Sequence, residues 1–265
     1  MEILYQTDDA RDLPLIGGEL CTFSVLHKIL SQPCEKIVTD HARLLLCHSD
    51  RRYPVWVWLA EDAGEAELER ACRLMRGEFP GCAFNTARTL GAYAQAQGMR
   101  VTKRLLAYEC TALRPQTRRA DGRFGAAMPE DAKLAAAWFC RFQAECGLGQ
   151  TDETACLQQA EQLIGIRRLF LWRDAAGAPH AMCGVRQDGD CATLTHVYTE
   201  PGSRRRGYAS GLVRGVTQAL LAQHMRAMLY ADADYAASNA CCRGIGYEPQ
   251  GEIWTLEEGL AARQG

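Results

Sequence analysis

Between residues 122 and 258 the sequence alternates strand-length apolar runs with helix-length periodic ones, and few folds accept that order. "GRFGAAMPED" (122–131) reads as a short strand running into a helix start, with Pro129 in the first turn and acids behind it. Helices are expected over 131–147, stopped by Gly147, and over 152–165, capped by Thr151 or Asp152. "RRLFLWRD" (167–174), "PHAMCGVRQDG" (179–189) and "CATLTHVYTE" (191–200) read as strands joined by turn formers. A helix over 207–225, a strand over 226–232, a helix over 238–246 and a strand over 251–258 complete the order β-α-α-β-β-β-α-β-α-β. The fold class is α/β, an α+β mixed sheet.

The first half is more polar, yet its order is related. A helix near 12–30 precedes strands at 42–49 and 55–62, a helix at 65–79, a strand at 82–86, a helix at 87–98 and a strand at 100–113. That β-β-α-β-α-β order repeats the later part of the second half. "RPQTRRADG" (114–122) is polar and rich in turn formers, so it reads as a linker. The expected organisation is a smaller α/β domain over 1–113, the linker over 114–122 and a second domain over 123–265. Ordinary α/β alternation would also give such a likeness.

Bulk composition narrows the function. A chain of 265 residues suits two domains, and a net charge of −2 gives no global attraction to nucleic acid or acidic membranes. The 13 cysteines contain no C-x-x-C pair, which argues against a zinc site or a disulfide framework and for reduced, buried thiols. No apolar run reaches the ~18 residues of a membrane span, and "MEILYQTDDARDL" lacks a basic leader. The reading is a cytoplasmic protein with no metal, no nucleic-acid partner and no membrane partner; a homodimer is left open.

Any basic site must then be local, and "TEPGSRRRGYASGL" (199–212) supplies one. Arg204, Arg205 and Arg206 stand directly before Gly207, between a strand end and the start of a helix. A helix's first turn has unpaired N–H groups and partial positive charge, so a loop feeding it can cradle phosphate. Gly207 and the small Ala209 let a ligand approach the backbone. A solvated basic turn explains the arginines but not the glycine and alanine at that junction.

Arg204-x-x-Gly207-x-Ala209 resembles the Arg/Gln-x-x-Gly-x-Gly/Ala signature of the GNAT superfamily of acyl-CoA-dependent N-acyltransferases. "VYTEPGSRRRGYASGLV" (197–213) resembles that family's strand-loop-helix block, and "LYADADYAASNACCRGIGYEP" (229–249) the strand-helix block after it. The first half is then expected to be a degenerate copy, with acids at Asp62, Glu65 and Glu67 where a phosphate would sit.

The resemblance implies acetyl-CoA as co-substrate and a small-molecule, peptide or protein amine as acceptor. It implies that Val197, Tyr198 and Thr199 pair with the pantetheine arm. Arg204, Arg205, Arg206, Gly207, Tyr208 and Ala209, with Ser210 close by, would hold the pyrophosphate, and Asn239 would contact the arm. The sequence departs from the family at Cys242, where a tyrosine acid is common. The Cys242 thiol, beside the coenzyme sulfur, could still act as an acid or form a mixed disulfide, though a buried packing cysteine is the simpler reading. His196, Glu200 and Asp232 are candidate bases. By alternation His196 shares a face with Tyr198, opposite Thr195 and Val197; a strand histidine is more often packed than catalytic, and Asp232 could equally cap the next turn. The alternative reading is an acyl-CoA sensor without turnover.

Overall fold

A computed structural model describes residues 2–4, 16–116, 120–147 and 152–259. In chain order the elements are β1 (Glu2–Leu4), α1 (Ser24–Leu30), β2 (Lys36–Thr39), β3 (Leu44–His48), β4 (Val55–Leu59), α2 (Glu65–Glu78), β5 (Phe84–Ala87), α3 (Arg88–Ala96) and β6 (Arg100–Cys110). There follow β7 (Arg123–Ala126), α4 (Ala132–Glu145), α5 (Glu153–Gly165), β8 (Leu169–Arg173), β9 (Pro179–Asp188), β10 (Cys191–Thr199), α6 (Tyr208–Leu221), β11 (Arg226–Asp232), α7 (Ala236–Ile245) and β12 (Glu248–Glu257). The expected helix near 12–30 is shorter, and its first residues lie outside the described ones, as do Thr151 and part of the linker. Asp152 caps α5 by accepting from the Thr154 N–H at 2.9 Å.

Contacts divide the chain into two compact units. One holds the chain up to Tyr108 with 231–236 and the segment from Pro249 onward; the other holds Glu109–Tyr230 and Ala237–Glu248. The sequence reading assigned β12 to the second domain. Its residues instead pair antiparallel with β5, with Ile253 opposite Ala87 and Leu256 opposite Phe84. Local pattern fixes a strand but not its partner.

Within the first unit β1, β2, β3 and β4 pair antiparallel in sequence, and β4 pairs parallel with β5. Within the second unit β7, β8, β9 and β10 do the same, and β10 pairs parallel with β11. Each parallel step is crossed by a helix, α2 in one unit and α6 in the other. The two units thus share a strand order and a set of strand directions.

In the second unit α4 and α5 bury Trp138, Phe139, Cys156 and Ala160 against Leu169, Leu171, Met182 and Tyr198. Burying a ring the size of Trp138 contributes about 4–6 kcal/mol of transfer free energy. Asp131 ties the start of α4 to the sheet, accepting from the Met128 N–H at 2.7 Å and pairing with Arg173 at 2.6 Å. The opposite face carries α6, whose Gly211 and Gly215 meet the rings of Trp172 and Phe124.

Candidate functional site

β10 is paired on both sides only over its first half. Its parallel pairing with β11 ends at Leu194 opposite Leu229, while the strand continues to Thr199. On the other side, Thr195 pairs with Gly184 and Tyr198 with Met182, so β10 carries one extra residue there. This bulge takes His196 and Val197 out of register, and His196 has φ +50°. It also overturns simple alternation: Thr195 and Tyr198 become same-side rungs, where the sequence reading had them opposed.

The chain then turns through Pro201–Ser203 and reaches Gly207, which has φ +86° and precedes α6 without a side-chain cap. Only glycine adopts that left-handed backbone at little cost. The first intrahelical bond runs from the Gly211 N–H to the Gly207 carbonyl, 2.8 Å. The N–H groups of Tyr208, Ala209 and Ser210 therefore stand outside the helical ladder. Arg205 and Arg206 are exposed beside them, and Arg205 is itself left-handed at φ +63°.

Arg204 is placed differently from its neighbours. Its guanidinium donates to both Glu145 oxygens, at 2.7 and 2.8 Å, and to the Thr199 carbonyl at 3.1 Å. Its N–H donates to the Pro201 carbonyl at 3.3 Å. The side chain thus braces the loop against α4, and the pyrophosphate expectation falls on Arg205 and Arg206.

A second brace was not read from the sequence. His180 on β9 bonds Ser203 Oγ at 2.8 Å through Nδ1 and Asp174 at 2.9 Å through Nε2. The His180 bond and the Ala178 N–H hold the Asp174 carboxyl below the usual range. The imidazole also stacks on Tyr208, the first residue of α6. Only the strand–turn–helix context of Ser203 could have signalled this contact, because His180 lies 23 residues away.

The four acid–base candidates each have different surroundings. His196 packs edge-on against Phe139 and Phe142, with centroids 4.8 and 5.4 Å away. Burial, aided by Arg186, lowers its ring pKa to about 4, so it is neutral at pH 7 and a weak base. Glu200 accepts from Trp138 Nε1 at 2.6 Å and pairs with Arg141 at 2.7 Å. Asp232, exposed and grouped with the first unit, accepts from the Asp234 N–H at 2.9 Å and so caps the turn after β11. Cys242 is buried on α7, and burial pushes its thiol up to about 12. Cys241 is the thiol that meets Ser210 at the start of α6. Asn239 is buried on the same helix. Among the described residues, no group of three or more His, Cys, Asp or Glu side chains could hold a metal, and no helix is long and apolar enough to cross a membrane.

Comparison with known proteins fits this geometry. Residues 175–255 match the family described as FR47-like protein. Solved structures match along nearly the whole chain. A GNAT-family acetyltransferase from Colwellia psychrerythraea has a TM-score of 0.63 at 14% identity, covering 97% of this chain and 100% of that one. A GCN5-related N-acetyltransferase from Sphaerobacter thermophilus has 0.64 at 11%, covering 97% of each. One from Kribbella flavida has 0.60 at 18%, covering 93% of this chain and 98% of that one. The chain thus has the fold of these GNAT structures, and its residues 175–255 are FR47-like in sequence. No curated protein matches the sequence.

The chain contains two versions of the parallel strand–helix step, and they end differently. At β4–α2 the Glu67 carboxylate accepts from the Gly64 N–H at 3.0 Å and pairs with Arg43 at 2.6 Å, and Arg43 also holds Asp62 at 2.9 Å. The start of α2 therefore carries a carboxylate, whereas the start of α6 carries neither an acid nor a side-chain cap. The first unit also has a cavity of about 330 Å3 lined by Gln95, Thr102, Lys103, Arg104, Asp234 and Trp254 among others. It contains none of the residues expected to bind coenzyme A.

Proposed function

We propose that the second unit transfers an acetyl or short acyl group from its coenzyme A thioester to a primary amine. The observation that carries this reading is the β10–α6 junction: a strand end no longer paired with β11, a bulge, and a left-handed Gly207 opening a helix without a side-chain cap, flanked by two exposed arginines. The residues present fit the coenzyme. Val197, Tyr198 and Thr199 offer strand backbone to the pantetheine arm, and the N–H groups of Tyr208, Ala209 and Ser210 face the pyrophosphate with Arg205 and Arg206. Bound there, the thioester supplies an activated acyl carbon that the amine attacks directly in a ternary complex.

This chain's own contribution is then positioning rather than strong base catalysis. Holding amine and thioester together removes much of the entropic barrier. The bulge at His196 and Val197 supplies backbone N–H groups for charge developing on the thioester oxygen. In the first unit the Glu67 carboxylate stands at the start of α2, which disfavours a phosphate there.

Calorimetry with acetyl-CoA, coenzyme A and ATP tests the reading. Micromolar binding of the first two is expected, without binding of ATP. Replacing Arg205 and Arg206 together by Ala should weaken binding at least about tenfold at low salt. Unchanged affinity in that folded variant would sink the assignment.

A second reading is favoured by one observation. His196, Glu200, Asp232 and Cys242 are each engaged or buried. A sensor that binds acyl-CoA without turnover needs no acid or base. Release of free coenzyme A in the presence of an amine panel separates the two readings.

A further inference from the structure

Arg186 lies on β9 directly opposite Thr193 of β10. The next same-side rung pairs Gly184 with Thr195, and the following one belongs to Met182, inside the α4–α5 core. Across the parallel pair Thr193 stands beside Met228, which puts Tyr230 on that same face. Arg186, Thr193, Thr195 and Tyr230 therefore continue the face that α4 and α5 cover. They do so within two residues of the point where β10 leaves β11, roughly 7 Å along the strand. His196 adjoins them: its Nδ1 is buried without a partner among the described residues, and its Nε2 lies 3.4 Å from Gln159 of α5.

The guanidinium in this cluster is poorly matched. It donates to Thr193 Oγ1 at 3.3 Å, and among the described residues it forms no ion pair. By contrast Arg141, Arg173, Arg204 and Arg226 each hold a carboxylate within 2.7 Å. Burial disfavours the charge of Arg186, with Tyr230 and Asp188 partly offsetting the effect. A partly buried arginine with five donors and one weak acceptor is costly unless a ligand completes it. Its planar fork fits a carboxylate.

We infer that Arg186, with Thr193 and Tyr230, recognises a carboxylate on the acceptor, so that the amine is carried by a small amino acid-like molecule. This rests on the acyl-transfer reading, and the α5 wall beside His196 favours a small acceptor over a folded protein. The experiment measures release of coenzyme A from acetyl-CoA with the common L-amino acids and, in parallel, their carboxamides. It uses the wild type, Arg186→Gln and Arg186→Lys, with thermal melting as the folding control. At least one amino acid is expected to be used with kcat/KM about tenfold or more above its amide. Arg186→Gln should bring that ratio near one without changing acetyl-CoA affinity, and Arg186→Lys should keep part of it. If the amides match the acids, if the preference survives in Arg186→Gln, or if only amines without a carboxylate are used, the inference is overturned. If acetyl-CoA binds without turnover, calorimetry of the same amino acids and amides on the coenzyme A complex decides: acid-selective binding lost in Arg186→Gln upholds it, and no binding overturns it. Failure of acetyl-CoA itself to bind would instead remove the acyl-transfer reading.

Discussion

His180 lies flat against Tyr208, with ring centroids 4.6 Å apart and planes 9° from parallel. The same imidazole bonds Ser203 and Asp174. One side chain thus fixes the turn before Gly207 and the first residue of α6. Replacing His180 by Ala is expected to let this loop relax while the sheet stays folded. Two lost hydrogen bonds correspond to about 1–3 kcal/mol. Acetyl-CoA affinity should fall about tenfold, with a modest drop in Tm. Calorimetry beside thermal melting checks this; full affinity in the variant would show that Arg204 alone holds the loop.

The elements of the second unit were legible because their apolar periodicities are strong and their ends are marked. Pro129, Gly147 and Asp152 stand at boundaries that the structure places within a few residues. The glycine–helix junction was legible for the same local reason. Long-range relationships were not. Nothing near Arg204 announces Glu145, 59 residues away, and nothing in "GEIWTLEE" names β5 as its partner. The bulge at His196 was hidden as well, since an extra residue leaves the composition of a strand unchanged.

Stability below neutral pH should depend on His196. Its ring pKa is lowered from the usual 6.5 to about 4, with burial the larger cause. Between those values the unfolded chain binds more protons, so stability is full above 6.5 and is lost as pH falls toward 4. The loss attributable to this ring is about 2 kcal/mol by pH 4.5. His196→Asn keeps a residue that tolerates the left-handed backbone and removes the titration. Urea unfolding at pH 7 and pH 4.5 should therefore show a flatter profile for the variant. Parallel profiles would mean that the ring is protonated in the folded protein.

Gly211→Ala sets two effects against each other. Alanine is the better helix former by about 1 kcal/mol. A Cβ at this position, however, would lie 2.8 Å from the buried Trp172 ring, closer than carbon atoms approach. Trp172 is also held by its Nε1 bond to the Asp121 carbonyl at 2.8 Å, so the ring does not yield freely. Overpacking should win, with a net loss of about 1–3 kcal/mol in urea unfolding. A stabilised variant would show that α6 can lift from the sheet at little cost.

The adjacent thiols of α7 should differ in reactivity and in their response to ligand. Cys242 is buried, with its thiol pushed up to about 12, so almost no thiolate exists near neutrality. Cys241 is less buried; burial raises its thiol as well, and the contact with the Ser210 hydroxyl partly offsets that. Alkylation at pH 8, followed by peptide mass spectrometry, should label Cys241 before Cys242. If the first turn of α6 holds the pyrophosphate, acetyl-CoA should protect Cys241 and ATP should not. Cys242→Ala should leave acetyl-CoA affinity nearly unchanged, because that side chain faces the interior. Faster labelling of Cys242, or a large loss of turnover in Cys242→Ala with binding intact, would move this cysteine from packing to chemistry.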